Sequence, residues 1–489
     1  MSDQALASAD NANFVPNAGY AGGTFYIPKT RSSLLPSSFT SALNAGGIQV
    51  KTTGLDLGTV PKLSFGPRVG FAYQITPKLV TRGGFGIFYG GAEEIGGSPL
   101  LTENFPFEWT QTRTAVNAVT PITPDNSIGT LETTFLNFIS SPATTNVSGV
   151  PLTGFQYNWK NTSTMSENLF VQYQVTSTSS LAVGFVGSVS RHIAIIGLAP
   201  NPALEILPPG TNSTPYTRFQ ITALTGGGLT QTEGNSSYNS LRTTYEKRFG
   251  HGLTVLGNFT WQKIRSDAHD PLEGDIGGYR APLLAGFGIR QDFNLADFDV
   301  PRIFHVSGSY ELPFGPGRQF ASSAHGFVKQ AIVGWSLNWI FTIQDGQPFT
   351  VNCATGTTTG FGCNALVVPG QNLYANSNVN HFVNYAAFSN PPLATKIGQT
   401  DITPLGGSPT QALGPPFRSL QLSLFKQFQI TEHTHLEFRA ECFNLTNTPN
   451  FSNPSTLNYL NAVSFGKIAS TRDNPNDARE IQFGLKFYW

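Results

Sequence analysis

An antiparallel transmembrane β-barrel of the outer membrane is the fold class that this sequence predicts, and three observations predict it. Apolar and polar residues alternate with a period of two in the C-terminal segment from Arg479 to Trp489. Similar alternating segments recur in pairs along the chain. Charged residues make up only 12% of the 489 residues, about half the usual share. Side chains of a strand alternate between faces, so one face can meet lipid and the other a lumen.

The C-terminal segment is the clearest strand. From residue 480 onward its even-numbered positions are mostly polar, and its odd-numbered positions are apolar: Ile481, Phe483, Leu485, Phe487 and Trp489. A soluble sheet can produce this pattern once, whereas a membrane barrel needs it in every strand.

The balance of charges excludes several classes of partner. Lys and Arg number 29, as do Asp and Glu, which argues against a nucleic-acid or anionic-surface binder. The longest apolar stretches, such as 193–199, fall far short of the roughly 18 residues of a spanning helix. The first residues show neither a basic nor an apolar signal region, so we expect the chain to be a piece of a longer exported protein.

Five strand pairs and the final strand give about eleven strands, all expected to be antiparallel. The turns within most pairs are short, as at Thr76 to Lys78. The predicted pairs are 69–75 with 79–89, 169–175 with 181–189, 241–249 with 253–261, 304–312 with 335–343, and 420–428 with 436–442.

The connections between pairs are much longer than the turns. Short periplasmic turns and long extracellular loops are typical of outer-membrane barrels. The long loops are predicted at 90–166, 190–235, 266–300, 345–415 and 447–478. With this orientation, the aromatic residues expected on the lipid face or in its interfacial girdles are Trp261, Trp335, Trp339, Phe483, Phe487 and Trp489.

Charged residues alternate with apolar ones in two of the predicted strands. We expect a polar lumen-facing row there, because charges are costly in lipid and harmless in a hydrated lumen. The solvated face of a soluble sandwich or propeller is the alternative interpretation. The expected lumen-facing residues are Arg242, Glu246, Arg248, Glu437, Arg439 and Glu441.

No catalytic or cofactor motif is present in the sequence, so the chain is predicted not to be an enzyme and to carry no cofactor. The loop from Ser266 to Asp275 is oxygen-rich and could hold Ca²⁺, but a solvated acidic loop fits its spacing better. Its candidate ligands are Asp267, Asp270, Glu273 and Asp275. Asp292, Asp297 and Asp299 are interpreted as turn formers and lumen-rim residues.

The three cysteines divide into two kinds. Cys353 and Cys363 lie in a Gly/Thr-rich loop, where either a small disulfide or two unpaired thiols is possible. Cys442 lies within a strand and is interpreted as a small apolar wall residue.

Six stretches resemble the C-terminal barrel of TonB-dependent receptors, in particular their Oar-like branch. They are FGPRVGFAYQITPKLVTRGGFGIFYGG (65–91), SSYNSLRTTYEKRFGHGLTVLGNFTWQKI (236–264), DFDVPRIFHVSGSYELPFGPGR (297–318), GWSLNWIFTIQDGQPFTV (334–351), SLQLSLFKQFQITEHTHLEFRAECFNLTNTPNF (419–451) and FGKIASTRDNPNDAREIQFGLKFYW (465–489).

This resemblance implies a 22-stranded outer-membrane barrel preceded by a plug domain. About eleven strands are roughly half of such a barrel, and no plug-like region is visible. The barrel-like region is assigned to 61–489. Residues 1–60 are expected to form an irregular segment that is a remnant of the missing half.

The resemblance also implies the function and the partners. The chain is expected to bind a solute or polypeptide at extracellular loops and pass it through the lumen. Its partners would be membrane lipids, the barrel assembly machinery through the C-terminal strand, and TonB only through a plug absent from this chain. A structural or adhesive surface protein without transport and a soluble all-β binding module are the alternatives.

Overall fold

We describe a computed structural model of the chain, covering residues 10–17, 21–90, 101–108, 152–198, 200–218, 227–250, 252–268, 289–353, 363–403, 405–431, 434–459, 462–472 and 478–489. Within these residues no helix has the length and apolar character needed to cross a membrane. The α-helices of the described residues are short and span Ser37–Ala45 and Gly326–Ile332.

One large sheet dominates the structure. Its long strands are β4 (Arg68–Thr76), β5 (Leu79–Gly90), β7 (Thr162–Thr176), β8 (Ser179–Leu198), β9 (Leu229–Gly250), β10 (Leu253–Ser266), β12 (Arg302–Glu311), β13 (Trp335–Gln344), β18 (Phe417–Gln429), β19 (His435–Phe443) and β20 (Glu480–Tyr488). The small strands β6 (Gly154–Phe155) and β11 (Asn294–Leu295) join it at β9 and β10.

The long strands follow one another in chain order from β4 at one edge to β20 at the other, and each pairs antiparallel with the next. The antiparallel all-β prediction is therefore confirmed. Among the described residues neither β4 nor β20 pairs with a strand on its second side, so the sheet is open there. The small strand β6 lies outside the predicted strands and runs parallel to β9.

Two strands extend well beyond their predicted ends. β8 continues to Leu198 and β9 begins at Leu229, so part of the predicted 190–235 loop is sheet. The pairing register shifts there, and His192 has a positive φ of 59°. In this part of the sheet β9 is rich in Ser, Thr and Asn, whereas β8 carries a run of apolar residues from Ile193. Neither segment alternates regularly, so no period-two signal identifies it in the sequence.

The N-terminal segment is ordered, which corrects the expectation of an irregular segment for residues 13–53. It contains β1 (Asn13–Pro16), β2 (Gly23–Pro28) and β3 (Ile48–Thr53), and β2 and β3 pair in parallel. Its core is completed by residues distant in sequence, so no local pattern reveals it. The buried cluster includes Phe14, Phe25, Phe39, Phe105, Leu152 and Leu229.

The connections at the start of β18 and the end of β19 form a second core. Four two-residue strands pair there: β14 (Pro348–Phe349) with β17 (Ala412–Leu413), and β15 (Leu366–Val367) with β16 (Phe388–Ser389). Tyr385 stacks on Tyr459 with ring centroids 4.2 Å apart, and Phe465 meets Tyr385 edge-on. This cluster of aromatic side chains makes the connecting segments a compact layer over one end of the sheet.

Candidate functional site

The two faces of the large sheet differ in chemistry, and the strand register shows which residues share a face. Phe259 lies opposite Phe304, and Phe304 lies opposite Ile343. Phe341 continues the same face by lying opposite Leu420. Because directly paired residues point to the same side of a sheet, one apolar face extends across these strands.

The predicted girdle residues share this apolar face. Trp261 pairs with Leu241, Trp339 with Leu422, and Phe483 with Ala440. Trp261 is 61% exposed and Trp489 is 89% exposed. The remaining members of the predicted set pair on the same face, Trp335 with Lys426 and Phe487 with Leu436.

The predicted lumen-facing charges share the opposite face, and several of them pair along this face. Arg248 Nε donates to Glu246 Oε1 at 3.1 Å, and Arg439 Nε donates to Glu437 Oε1 at 2.6 Å. Glu441 accepts from the Gln482 side chain at 2.5 Å. Residues two apart in a strand point the same way, so these contacts place each set on a single face.

Four arginines on this polar face lie over aromatic rings of the same face. The distance from the guanidinium carbon to the ring centroid is 4.6 Å for Arg68 over Phe88 and 5.6 Å for Arg82 over Phe170. The other two pairs are Arg242 over Tyr238 at 5.8 Å and Arg439 over Phe425 at 4.7 Å. Sequence reasoning missed these pairs. Three of the rings belong to a different strand from their arginine, and the fourth, Tyr238, lies at a position with no polar signal.

Lys426 is an exception on the apolar face and was not identified from the sequence. It is only 2% exposed, and its ammonium group donates to the Val333 carbonyl. The same nitrogen lies 4.8 Å from the Phe428 ring centroid and 5.5 Å from that of Trp335. Aromatic rings and a carbonyl at the sheet rim thus satisfy a charge that bare lipid would not.

Of the four candidate Ca²⁺ ligands, Asp267 alone lies in the described part of the chain. Asp267 is buried and accepts hydrogen bonds from Asn235, from the backbone N–H at 2.5 Å and the amide at 3.0 Å. Burial raises the pKa of Asp267, while the bonds from Asn235 oppose that rise. Asp270, Glu273 and Asp275 lie outside the described residues. Among the described residues, no group of three His, Cys, Asp or Glu side chains could hold a metal ion.

Asp299 lies at the same end of the sheet as the long connections. Its carboxylate is fully buried, and Oδ1 accepts from the Ile264 N–H at 3.1 Å. The other oxygen, Oδ2, has no hydrogen-bond partner among the described residues. Burial raises the pKa of Asp299 to about 6, with Lys263 opposing and Asp345 reinforcing the rise. Asp292 is also fully buried, and Asp297 lines a cavity described below.

The loop cysteines lie together. Cys353 and Cys363 are joined as a disulfide with Cα atoms 5.5 Å apart, and the Cys353 N–H donates to the Cys363 carbonyl at 3.1 Å. Cys442 is a free thiol in β19 and lies opposite Leu422 and Ile481 on the apolar face.

A two-faced antiparallel sheet with its longest connections at one end is the construction of an outer-membrane β-barrel wall. Residues 7–482 match the family model for the outer membrane beta barrel domain. The chain belongs to this family, and its location is the outer membrane. No curated protein sequence matches the chain.

Solved structures with a similar arrangement are receptors and transporters of the outer membrane. The ferric-catecholate import receptor Fiu of Escherichia coli matches at 9% identity with a TM-score of 0.36, over 86% of this chain and 34% of Fiu. The siderophore receptor PirA of Acinetobacter baumannii matches at 10% identity with a TM-score of 0.38, over 87% of this chain and 41% of PirA. The transporter YddB of Escherichia coli matches at 8% identity with a TM-score of 0.40, over 84% of this chain and 39% of YddB. The chain thus spans well under half the length of these structures.

Proposed function

We propose that the chain is the C-terminal barrel part of an Oar-like TonB-dependent transporter or receptor. It binds a solute or polypeptide at the extracellular loops and passes it through the lumen. The observation that carries this proposal is the continuous two-faced sheet whose longest connections leave from one end. Its apolar face meets lipid, and its arginine-bearing face lines the passage.

The open sheet supports a partial barrel. Eleven long strands alternate in direction, so the edge strands β4 and β20 run the same way. A ring closed by antiparallel pairs therefore needs an odd number of further strands. The first and the last of these further strands must both run opposite to β4 and β20. Two copies of this sheet inserted in the same orientation cannot meet that requirement without parallel seams. The closing strands in this proposal come from another polypeptide segment, as in a barrel of 22 strands.

Two experiments test the proposal. Heat-modifiable migration of the full chain from outer-membrane fractions tests the barrel, and a single band at all temperatures would contradict it. Depletion of solutes from a defined mixed medium, measured by mass spectrometry in cells with and without functional TonB, tests transport. Solute depletion that requires both the chain and TonB is expected. Surface binding of solutes that is unchanged without TonB would favour the adhesive alternative.

A further inference from the structure

We infer that a cavity among the connecting loops is a binding site for a neutral, hydroxyl-rich ligand, namely a saccharide. The cavity has a volume of about 540 Å³ and is enclosed by three segments, 297–298, 347–352 and 453–458. This volume lies within the range of about 300–1,000 Å³ that is usual for small-molecule sites. The inference deepens the proposed function and rests on it for the extracellular position of the cavity.

The walls of the cavity are held in place by hydrogen bonds that need no ligand. The Asn352 N–H donates to the Leu457 carbonyl at 2.9 Å, and the Tyr459 N–H donates back to the Asn352 carbonyl at 3.0 Å. The Thr410 N–H donates to Thr350 Oγ1 at 2.9 Å. The aromatic cluster around Phe465 includes Phe349 and packs against Tyr459, and it thereby holds these segments together. A site built this way is largely preformed, which lowers the entropy lost on binding.

The chemistry of the lining excludes an anionic ligand and favours a neutral one. Among the described residues no Lys, Arg or His side chain lines the cavity, and Asp297 is the one charged residue of that lining. Amide and hydroxyl groups supply both donors and acceptors, and each hydroxyl of a sugar likewise donates and accepts. The polar neutral side chains of the lining are Gln347, Thr350, Asn352, Asn453, Ser455, Thr456 and Asn458.

An aromatic ring supplies the apolar contact that a sugar ring requires on its C–H face. Phe298 lines the cavity with 42% of its surface exposed, whereas Phe349 beside it is almost fully buried in the loop core. A large, rigid, exposed ring in the lining of a polar cavity adds apolar contact at low conformational cost. The pyranose face of a saccharide fits that combination.

A peptide fits the cavity less well. Extended peptides bind by adding to free backbone groups at a strand edge. The wall backbone is already engaged at Asn352, and at β14, which pairs with β17. Pro348 and Pro454 have no N–H to offer. The side-chain amides and hydroxyls of the lining are therefore the groups that recognise the ligand in this cavity.

The test measures binding of labelled neutral trisaccharides, built from glucose, xylose, galactose or mannose, to outer-membrane vesicles that contain the full chain. Vesicles lacking the chain are the blank. We expect saturable binding of at least one trisaccharide and a loss of tenfold or more in affinity for Phe298→Ala. Phe320→Ala is the matched control, because Phe320 is 50% exposed in the connection between β12 and β13, at the other end of the sheet. It should leave binding unchanged.

Three outcomes would overturn the inference: no binding of any trisaccharide, equal affinity in wild type and Phe298→Ala, or binding of an unrelated neutral peptide library in place of the sugars. Heat-modifiable migration of the same vesicles separates this result from the proposed function. A heat-modifiable barrel without sugar binding contradicts only the saccharide site, whereas loss of heat-modifiable migration contradicts the barrel itself.

Discussion

Arg439 donates from Nε to Oε1 of Glu437 at 2.6 Å, although the two residues lie only two positions apart in β19. Glu437 has 8% of its side chain exposed and also accepts from Gln427 at 3.2 Å. The guanidinium group of Arg439 also lies over the Phe425 ring. A half-buried ion pair is thus part of the polar face of the sheet.

Removing the Arg439 side chain should leave the buried Glu437 carboxylate without its ion-pair partner. Arg439→Ala is expected to lower the free energy of unfolding by about 1–3 kcal/mol. The matched control is Arg248→Ala, because Arg248 and Glu246 form a pair of the same spacing but are 81% and 42% exposed. It should cost less than about 1 kcal/mol. Urea titrations of heat-modifiable migration in phospholipid vesicles measure the free energy of unfolding of both variants. Equal losses in the two variants would contradict the prediction that the more buried ion pair contributes more to stability.

Gly308 provides room for a tryptophan on the apolar face. A Cβ at this position would collide with the Trp339 ring and approach the Thr254 carbonyl at 2.7 Å. Gly308→Ala should displace Trp339 and destabilise the sheet by about 1–3 kcal/mol. Gly257→Ala is the control in the neighbouring strand, since a Cβ there meets only ordinary contacts of 3.7 Å or more. Tryptophan emission and urea unfolding report the change, and a Gly308→Ala protein with unaltered emission would contradict the prediction.

The buried Asp299 predicts a pH dependence of stability. Its pKa in the folded protein is about 6, above its ordinary value of 3.8, so the folded state holds the proton more tightly than the unfolded state. Stability should therefore fall as pH rises from about 4 to about 6, by at most about 3 kcal/mol. Asp299→Asn keeps an acceptor for the Ile264 N–H and should flatten this slope.

Urea unfolding of wild type and Asp299→Asn across that pH window measures the effect. Asp56→Asn is the control, because Asp56 is an exposed carboxylate in the loop before β4. Its pH profile should follow that of the wild type. Identical profiles for wild type and Asp299→Asn would show that burial of Asp299 does not govern stability in this range.

The edges of the sheet should behave differently in detergent and in membrane. In detergent the outward amides of β4 and β20 are expected to exchange hydrogen faster than those of the central strand β12, because these edges lack a second partner in the described structure. In native outer membranes they should be protected, since unpaired backbone groups are too costly in lipid. Hydrogen-exchange mass spectrometry compares the two preparations. Fast exchange of these amides in the native membrane would contradict closure by further strands.

Much of the wall was predictable from the sequence, because lipid and lumen impose a period of two on every crossing strand. Phe483 and Phe487 reveal their shared face within nine residues, and Glu437, Arg439 and Glu441 reveal theirs. The upper parts of β8 and β9 were not predictable. The first part of β9 is rich in Ser, Thr and Asn and the last part of β8 is a run of mostly apolar residues, so neither shows a period of two.

The candidate cavity was also beyond sequence reasoning. Phe298, Asn352 and Asn453 meet although long stretches of chain separate them, and none belongs to a motif. The N-terminal core was missed for a related reason, since Phe14 and Phe25 pack with Phe105, Leu152 and Leu229. Contacts of this kind leave no periodic trace in the chain.

The sequence by itself determined the alternation of faces, the antiparallel class and the membrane for which the chain is built. These follow from local chemistry, because each strand must separately satisfy lipid on one side and water on the other. The tertiary structure alone decided the pairing of Arg68 with Phe88 and of Arg82 with Phe170, the burial of Asp299 and Lys426, and the loop cavity. Those features depend on which distant segments pack together, and packing is set by three-dimensional register rather than by local pattern.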